Sequence, residues 1–208
     1  MRTKKITKMI QDAIADENRT GRLAETLKDF AQQRGVTPSN KDIETTVTFV
    51  REYVEHVPMY MQQASSAGQQ MGLGAETTHM LQELEQYWFN ANDLIPDHLG
   101  LVGITDDAYA SLFLLQALSD YAEANFGRPL LKQNLTTANQ GMRGLIGDPV
   151  VSILEQQVGV TLANNMMHRI LGQLATGGFA FPSGPDPIWG NASIDEIVDT
   201  RLGAMGVI

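Results

Sequence analysis

Apolar residues recur every three or four positions along most of the chain, the spacing of helices that bury one face. No segment of five or more residues alternates apolar and polar side chains as a half-buried strand would. The pattern predicts an all-α protein, a helical bundle of about seven or eight helices in a single domain spanning 1–208. The clearest stripes are Ile6, Ile10, Ala13, Ile14; Leu23, Leu27, Phe30; Ile43, Val47, Val50, Val54, Val57; Met80, Leu84, Trp88; Ala108, Leu112, Leu115, Leu118, Ala122; Leu131, Leu135, Ala138, Met142, Leu145; and Val151, Leu154, Val158, Leu162, Met166, Ile170.

Capping residues and prolines predict where several helices begin and end. Thr37–Pro38 is typical of an N-cap followed by a first-turn proline, and Asp148–Pro149 predicts a second start of the same kind. Pro58 should end or kink the helix that precedes it, because proline lacks the N–H that a helix interior needs. Thr105 is predicted to cap the most apolar helix, and Ser193 to begin the last one.

Two segments lack a clear helical pattern. Met61–Gly74, rich in Gln, Met, Ser and Gly, is interpreted as either a weak helix or a loop. Residues 176–192 hold several glycines and prolines and are predicted to be irregular. Their aromatic residues Phe179, Phe181 and Trp189 are candidates for binding a protein partner, because aromatic side chains dominate interface energetics. The alternative is a loop that packs on its own domain.

Charge and composition exclude several classes of protein. The 208 residues carry a net charge of −9, and residues 59–127 contain nine acids without a single Lys or Arg. Nucleic-acid binding is disfavoured, since phosphate neutralisation needs clustered basic residues. The absence of cysteine excludes disulfides and cysteine-based metal sites. No apolar run approaches the roughly 18 residues of a membrane span, and the basic start lacks a signal-peptide core, so we expect a cytoplasmic location.

The densest motif lies within that base-free stretch, between residues 93 and 107. Its residues at fixed spacing are Asp93, Leu94, Ile95, Pro96, Asp97, Gly103, Asp106 and Asp107. These eight positions resemble the core of the YkvA-like bacterial domain of unknown function, over roughly 81–118. Two positions depart from the family, with Ala91 and Gly100 where proline is common. The resemblance implies a helix–loop–helix hairpin within the bundle and implies no activity.

The acids of this motif have two interpretations. Aspartates can accept backbone N–H bonds in turns and at helix starts, which explains Asp93, Asp97, Asp106 and Asp107 without a ligand. Alternatively, four carboxylates within fifteen residues could bind Mg²⁺, Ca²⁺ or Mn²⁺, with His98 as an added nitrogen ligand. The spacing does not match an EF-hand loop.

The remaining patterns favour a non-enzymatic role. The chain has no HExxH, GxSxG, P-loop or GxGxxG signature, so an enzyme is the weaker hypothesis. The leading hypothesis is an interaction or assembly module that binds a protein partner or itself. The alternatives are a divalent-metal-binding protein or metal-dependent enzyme using the motif acids, and peripheral membrane contact through Ile6, Ile10 and Ile14 of the basic N-terminal helix.

Overall fold

The structure, a computed structural model, describes residues 3–89 and 94–176, with side chains described as far as residue 164. Within these ranges the chain forms eight α-helices, one short 3₁₀-helix and no strand, which confirms the all-α prediction. The closing helix predicted from Ser193 lies outside the described residues. The elements are α1 (Thr3–Thr20), α2 (Arg22–Gln33), α3 (Asn40–Glu55), α4 (Val57–Gln70), α5 (Gly74–Tyr87), the 3₁₀-helix (Asp97–Leu99), α6 (Thr105–Phe126), α7 (Thr136–Ile146) and α8 (Val150–Thr176).

Helix α6 lies at the centre of the bundle and contacts α3, α4, α7 and α8. Its predicted stripe from Ala108 to Ala122 is buried, and so are Tyr109, Ala110 and Leu114 on its other sides. A helix that is apolar nearly all round is buried nearly all round. The segment read from sequence as the most apolar therefore forms the core around which the other helices pack.

The N-terminal helix α1 packs on α3 and α4 through its apolar stripe. Ile6 is fully buried and Ile10 nearly so, while Ile14 packs against the same core from its edge. The buried carboxylate of Glu17 accepts the backbone N–H of Leu23 at 2.8 Å, and so satisfies one N–H at the start of α2. The face that the membrane hypothesis requires is thus covered by the protein itself. No described helix is long and apolar enough to cross a membrane.

Two helix starts differ from the sequence prediction. The N-cap of α3 is Ser39, not Thr37, because Ser39 and Asp42 form a reciprocal capping box that satisfies two backbone N–H groups. The prediction that Thr105 is an N-cap is also wrong. Thr105 is the first residue of α6, and its hydroxyl donates to the carbonyl of Val102 at 2.7 Å.

The ambiguous segment from Met61 is helical as far as Gln70, where α4 ends. Pro58 ends α3 as predicted and lies in the first turn of α4. A Cβ added at Gly68 would lie 2.2 Å from the Thr77 hydroxyl oxygen, so glycine lets α4 approach α5 closely. Small residues there reflect helix packing rather than a loop.

The loop before α7 is held to α6 by side chains. Leu131 and Leu135 were predicted on α7, but both are buried ahead of its first residue, Thr136. The Ser119 hydroxyl accepts the N–H of Leu131 at 3.0 Å, and the Gln116 side-chain oxygen accepts that of Leu135 at 2.6 Å. These bonds satisfy buried backbone groups that no helix or strand satisfies.

Candidate functional site

We call residues 94–107 the acidic corner. It contains the 3₁₀-helix, Gly100 with a positive φ of 68°, and the start of α6. A Cβ at Gly103 would lie 2.4 Å from the carbonyl oxygen of Pro96 and 2.9 Å from the Cα of Asp97. The backbone at Gly103 therefore lies directly against the backbone of Pro96 and Asp97. Only glycine, which has no Cβ, fits at this contact.

The acids of the corner occupy two different environments. Asp106 and Asp107 are buried, although acids in the first turn of a helix usually face water. Asp106 Oδ2 accepts the backbone N–H of Ile95 at 3.1 Å, which ties the start of the corner to α6. Asp97 is exposed at the start of the 3₁₀-helix, and Asp93 lies outside the described residues. Asp106 thus has the turn-stabilising role expected from the interpretation that explains the motif acids without a ligand.

Basic residues reach the corner from the junction of α1 and α2. Arg22 Nη1 donates to the backbone carbonyl of His98 at 3.0 Å, and the His98 side chain is exposed. On α1, Lys8 and Arg19 form ion pairs with Asp12 and Asp16 within the same helix. The cleft of about 420 Å³ between these elements has mixed charge. Its charged and titratable residues are Asp12, Asp16, Arg19, Arg22, Asp97 and His98.

Within the described ranges, no three His, Asp or Glu side chains come together as a metal site. Asp97 and His98 are exposed, whereas Asp106 and Asp107 are buried at the start of α6. The four-acid cation site includes Asp93, so it stays a prediction.

The inner side of α8 contributes to a polar cluster. Glu155 Oε1 accepts the Tyr109 hydroxyl at 2.8 Å and Arg143 Nε at 3.0 Å. Burial, and then the hydrogen bond to Glu155, raise the pKa of the Tyr109 phenol. The only acid of α8 is thereby engaged with α6 and α7. Above and below it, Val151, Leu154 and Val158 pack into the core.

As far as residue 164, the opposite side of α8 is exposed and carries no charged side chain. It includes two of the five exposed large hydrophobic residues found in the described chain, Ile153 at 39% exposure and Val160 at 56%, the highest of the five. We call this surface the outer face of α8. Its exposed residues are Ser152, Ile153, Gln156, Gln157, Gly159, Val160, Ala163 and Asn164.

Sequence reasoning did not identify this face. The stripe through Val151, Leu154 and Val158 was taken as the apolar side of the helix, and one stripe accounts for one buried face. The sequence signal for this face was a second apolar pair, Ile153 and Val160. It lies in the first half of α8, where Glu155 is the only charged residue. The predicted partner-binding aromatics Phe179, Phe181 and Trp189 lie outside the described residues.

No family model matches the chain, and no match was found among curated proteins or solved structures. The resemblance to the YkvA-like domain therefore rests on the motif alone and stays a prediction.

Proposed function

We propose that this protein is a non-enzymatic interaction module that binds another protein chain through the outer face of α8. The observation that carries the proposal is an uncharged exposed surface with Val160 at its centre, on a chain of net charge −9. The buried centres of protein interfaces are depleted in charged residues and enriched in apolar ones. The described part of the outer face lacks charged residues and exposes the apolar side chains of Ile153 and Val160.

The inner side of α8 gives this surface a rigid support. Leu154 and Val158 are buried against the bundle, and Glu155 bonds to Tyr109 and Arg143. A face presented by a packed helix needs little ordering when a partner binds, so less of the interaction energy is lost to entropy. The acidic corner gives a metal-dependent activity less support, because its described acids are divided between the interior and the surface.

The segment 176–192 begins where α8 ends in the chain, so its aromatic residues are candidates for a second contact with the same partner. Replacing Phe179, Phe181 and Trp189 together by serine tests that role. We expect weaker binding without loss of the binding that Val160 mediates.

Site-specific photo-crosslinking in cells tests the proposal. A photoreactive phenylalanine analogue is placed at Val160, and in a matched control at Met59, an exposed methionine on α4 (45% exposure). We expect a discrete protein adduct, identified by mass spectrometry, from position 160 and none from position 59. The absence of any adduct from position 160 would refute the proposal.

A further inference from the structure

We infer that the partner on the outer face of α8 is a second copy of this chain, so that two α8 helices pair along this face. The inference rests on the proposed function and names its partner. A two-fold axis places the same surface on both sides of the contact, so that surface must be complementary to itself.

The absence of charged residues from the described outer face meets this requirement. Two copies of a chain with net charge −9 repel each other, and the repulsion is smallest where the contact carries no charge. The polar side chains on the outer face are Ser152, Gln156, Gln157 and Asn164. Amides and hydroxyls both donate and accept hydrogen bonds, so two copies of this face can satisfy each other.

The spacing of the apolar residues fits a pair of helices. Ile153 and Val160 are seven residues apart, and Met167 and Leu174 continue the same spacing along the chain. Ala163 and Ile170 hold the intermediate position in the repeats that start at Val160 and Met167, and Gln156 holds it in the repeat that starts at Ile153. A seven-residue apolar repeat is the pattern of two helices that supercoil around each other, whereas a helix packed once against a globular core follows a period of 3.6.

The length of α8 is sufficient for such a pair. Its 27 residues span about 40 Å at the rise of an α-helix. They hold between three and four seven-residue repeats, long enough for a continuous contact between two helices. Besides Glu155, the helix contains one further charged residue, Arg169, and neither belongs to the seven-residue series from Ile153.

Sedimentation equilibrium of the full chain, from about 1 µM to about 1 mM, tests the inference. We expect the mass to rise from 22.8 kDa toward twice that value with concentration. Val160→Glu should raise the dissociation constant roughly 100-fold or more, because two like charges enter an apolar contact. Val160→Ser, the milder change, should raise the dissociation constant roughly tenfold or more. Met59→Glu, the matched control, should associate as the wild type does.

Circular dichroism first confirms that each variant is helical. A wild-type mass of one chain at every concentration would overturn the inference. A dissociation constant that Val160→Glu leaves unchanged, or one that Met59→Glu also raises, would place the contact elsewhere and overturn the inference as well. The photo-crosslinking experiment separates the two claims. An adduct with a different protein in a monomeric wild type would retain the proposed function and reject self-association, whereas no adduct would reject both.

Discussion

The acidic corner and the outer face of α8 use their side chains in opposite ways. In the corner, Asp106 binds the backbone of Ile95, and Gly103 lies against the backbone of Pro96. On α8, Ile153 and Val160 project from a helix whose other side is already packed. The corner contains most of the recognisable motif, and much of that motif is engaged in folding the chain.

A dense sequence motif and an interaction surface are therefore separate signals. Acids, glycines and prolines at fixed spacing can be required by a tight reversal between two helices. An exposed apolar pair on an uncharged helix face has no such local role, because isoleucine and valine side chains stabilise a fold by being buried.

Gly103→Ala should cause the largest loss of stability. The added methyl group would meet the backbone of Pro96 and Asp97 at 2.4–3.0 Å, which we expect to cost about 2–3 kcal/mol of unfolding free energy. Urea denaturation measures it. The matched control is Gly159→Ala on α8, compared in dilute protein in which α8 is unpaired; nothing in the single chain lies within 4 Å of the added Cβ, and alanine should stabilise the helix by about 1 kcal/mol. Equal stabilities for Gly103→Ala and the wild type would show that the corner is not tightly packed.

Asp106→Ala should have a smaller effect, also confined to folding. Loss of the buried carboxylate leaves the Ile95 N–H without its acceptor, at an expected cost of about 1–3 kcal/mol. Asp97→Ala, at an exposed position, should change the unfolding free energy by less than about 0.5 kcal/mol. Chemical denaturation of both variants gives the comparison.

Asp97 also tests the hypothesis that the acidic corner binds a cation. A thermal shift assay with Mg²⁺, Mn²⁺, Ca²⁺ and Zn²⁺ detects any ion that binds the folded state alone. On the structural account, Tm does not change with metal. A metal-dependent rise in Tm that Asp97→Asn abolishes would instead make the corner a binding site and break the contrast.

Tyr109→Phe should reveal how the inner side of α8 is held. Loss of the hydrogen bond to Glu155 is expected to cost about 1 kcal/mol near neutral pH. Because burial raises the pKa of the folded Tyr109, the unfolded chain loses this proton first as pH rises above about 10. Wild-type stability then falls with pH by at most about 1.4 kcal/mol per pH unit from this group, and the variant lacks that slope. Parallel stability curves from pH 8 to 11 would contradict this assignment.

The sequence predicted more of the helical fold than of the candidate site. Helical spacing identified α1, α3, α6 and α8 because each buries a continuous apolar stripe. The helix starts were less certain, since Thr37 and Ser39 both have cap-forming side chains and only the position of Asp42 selects Ser39. The helical state of residues 61–70 depends on packing of Gly68 against Thr77, a contact that local propensity does not contain.

The environment of the candidate residues could not be predicted, because it depends on tertiary packing. Sequence placed Asp106 in the first turn of a helix, where solvent exposure is usual, but the corner folds over it. Likewise, α8 has two apolar stripes, and only the bundle determines which one is covered. The stripe through Leu154 faces α6, which leaves Val160 exposed.

The chain contains no cysteine of its own, so the reactivity of one introduced cysteine reports whether the surface around it becomes covered. Val160→Cys and Asp97→Cys place one thiol on the outer face of α8 and one in the acidic corner. We predict that the maleimide reaction of Val160→Cys slows as the protein is concentrated, while that of Asp97→Cys keeps its rate. Rates that stay constant at both positions, or that slow only at Asp97→Cys, would contradict the account.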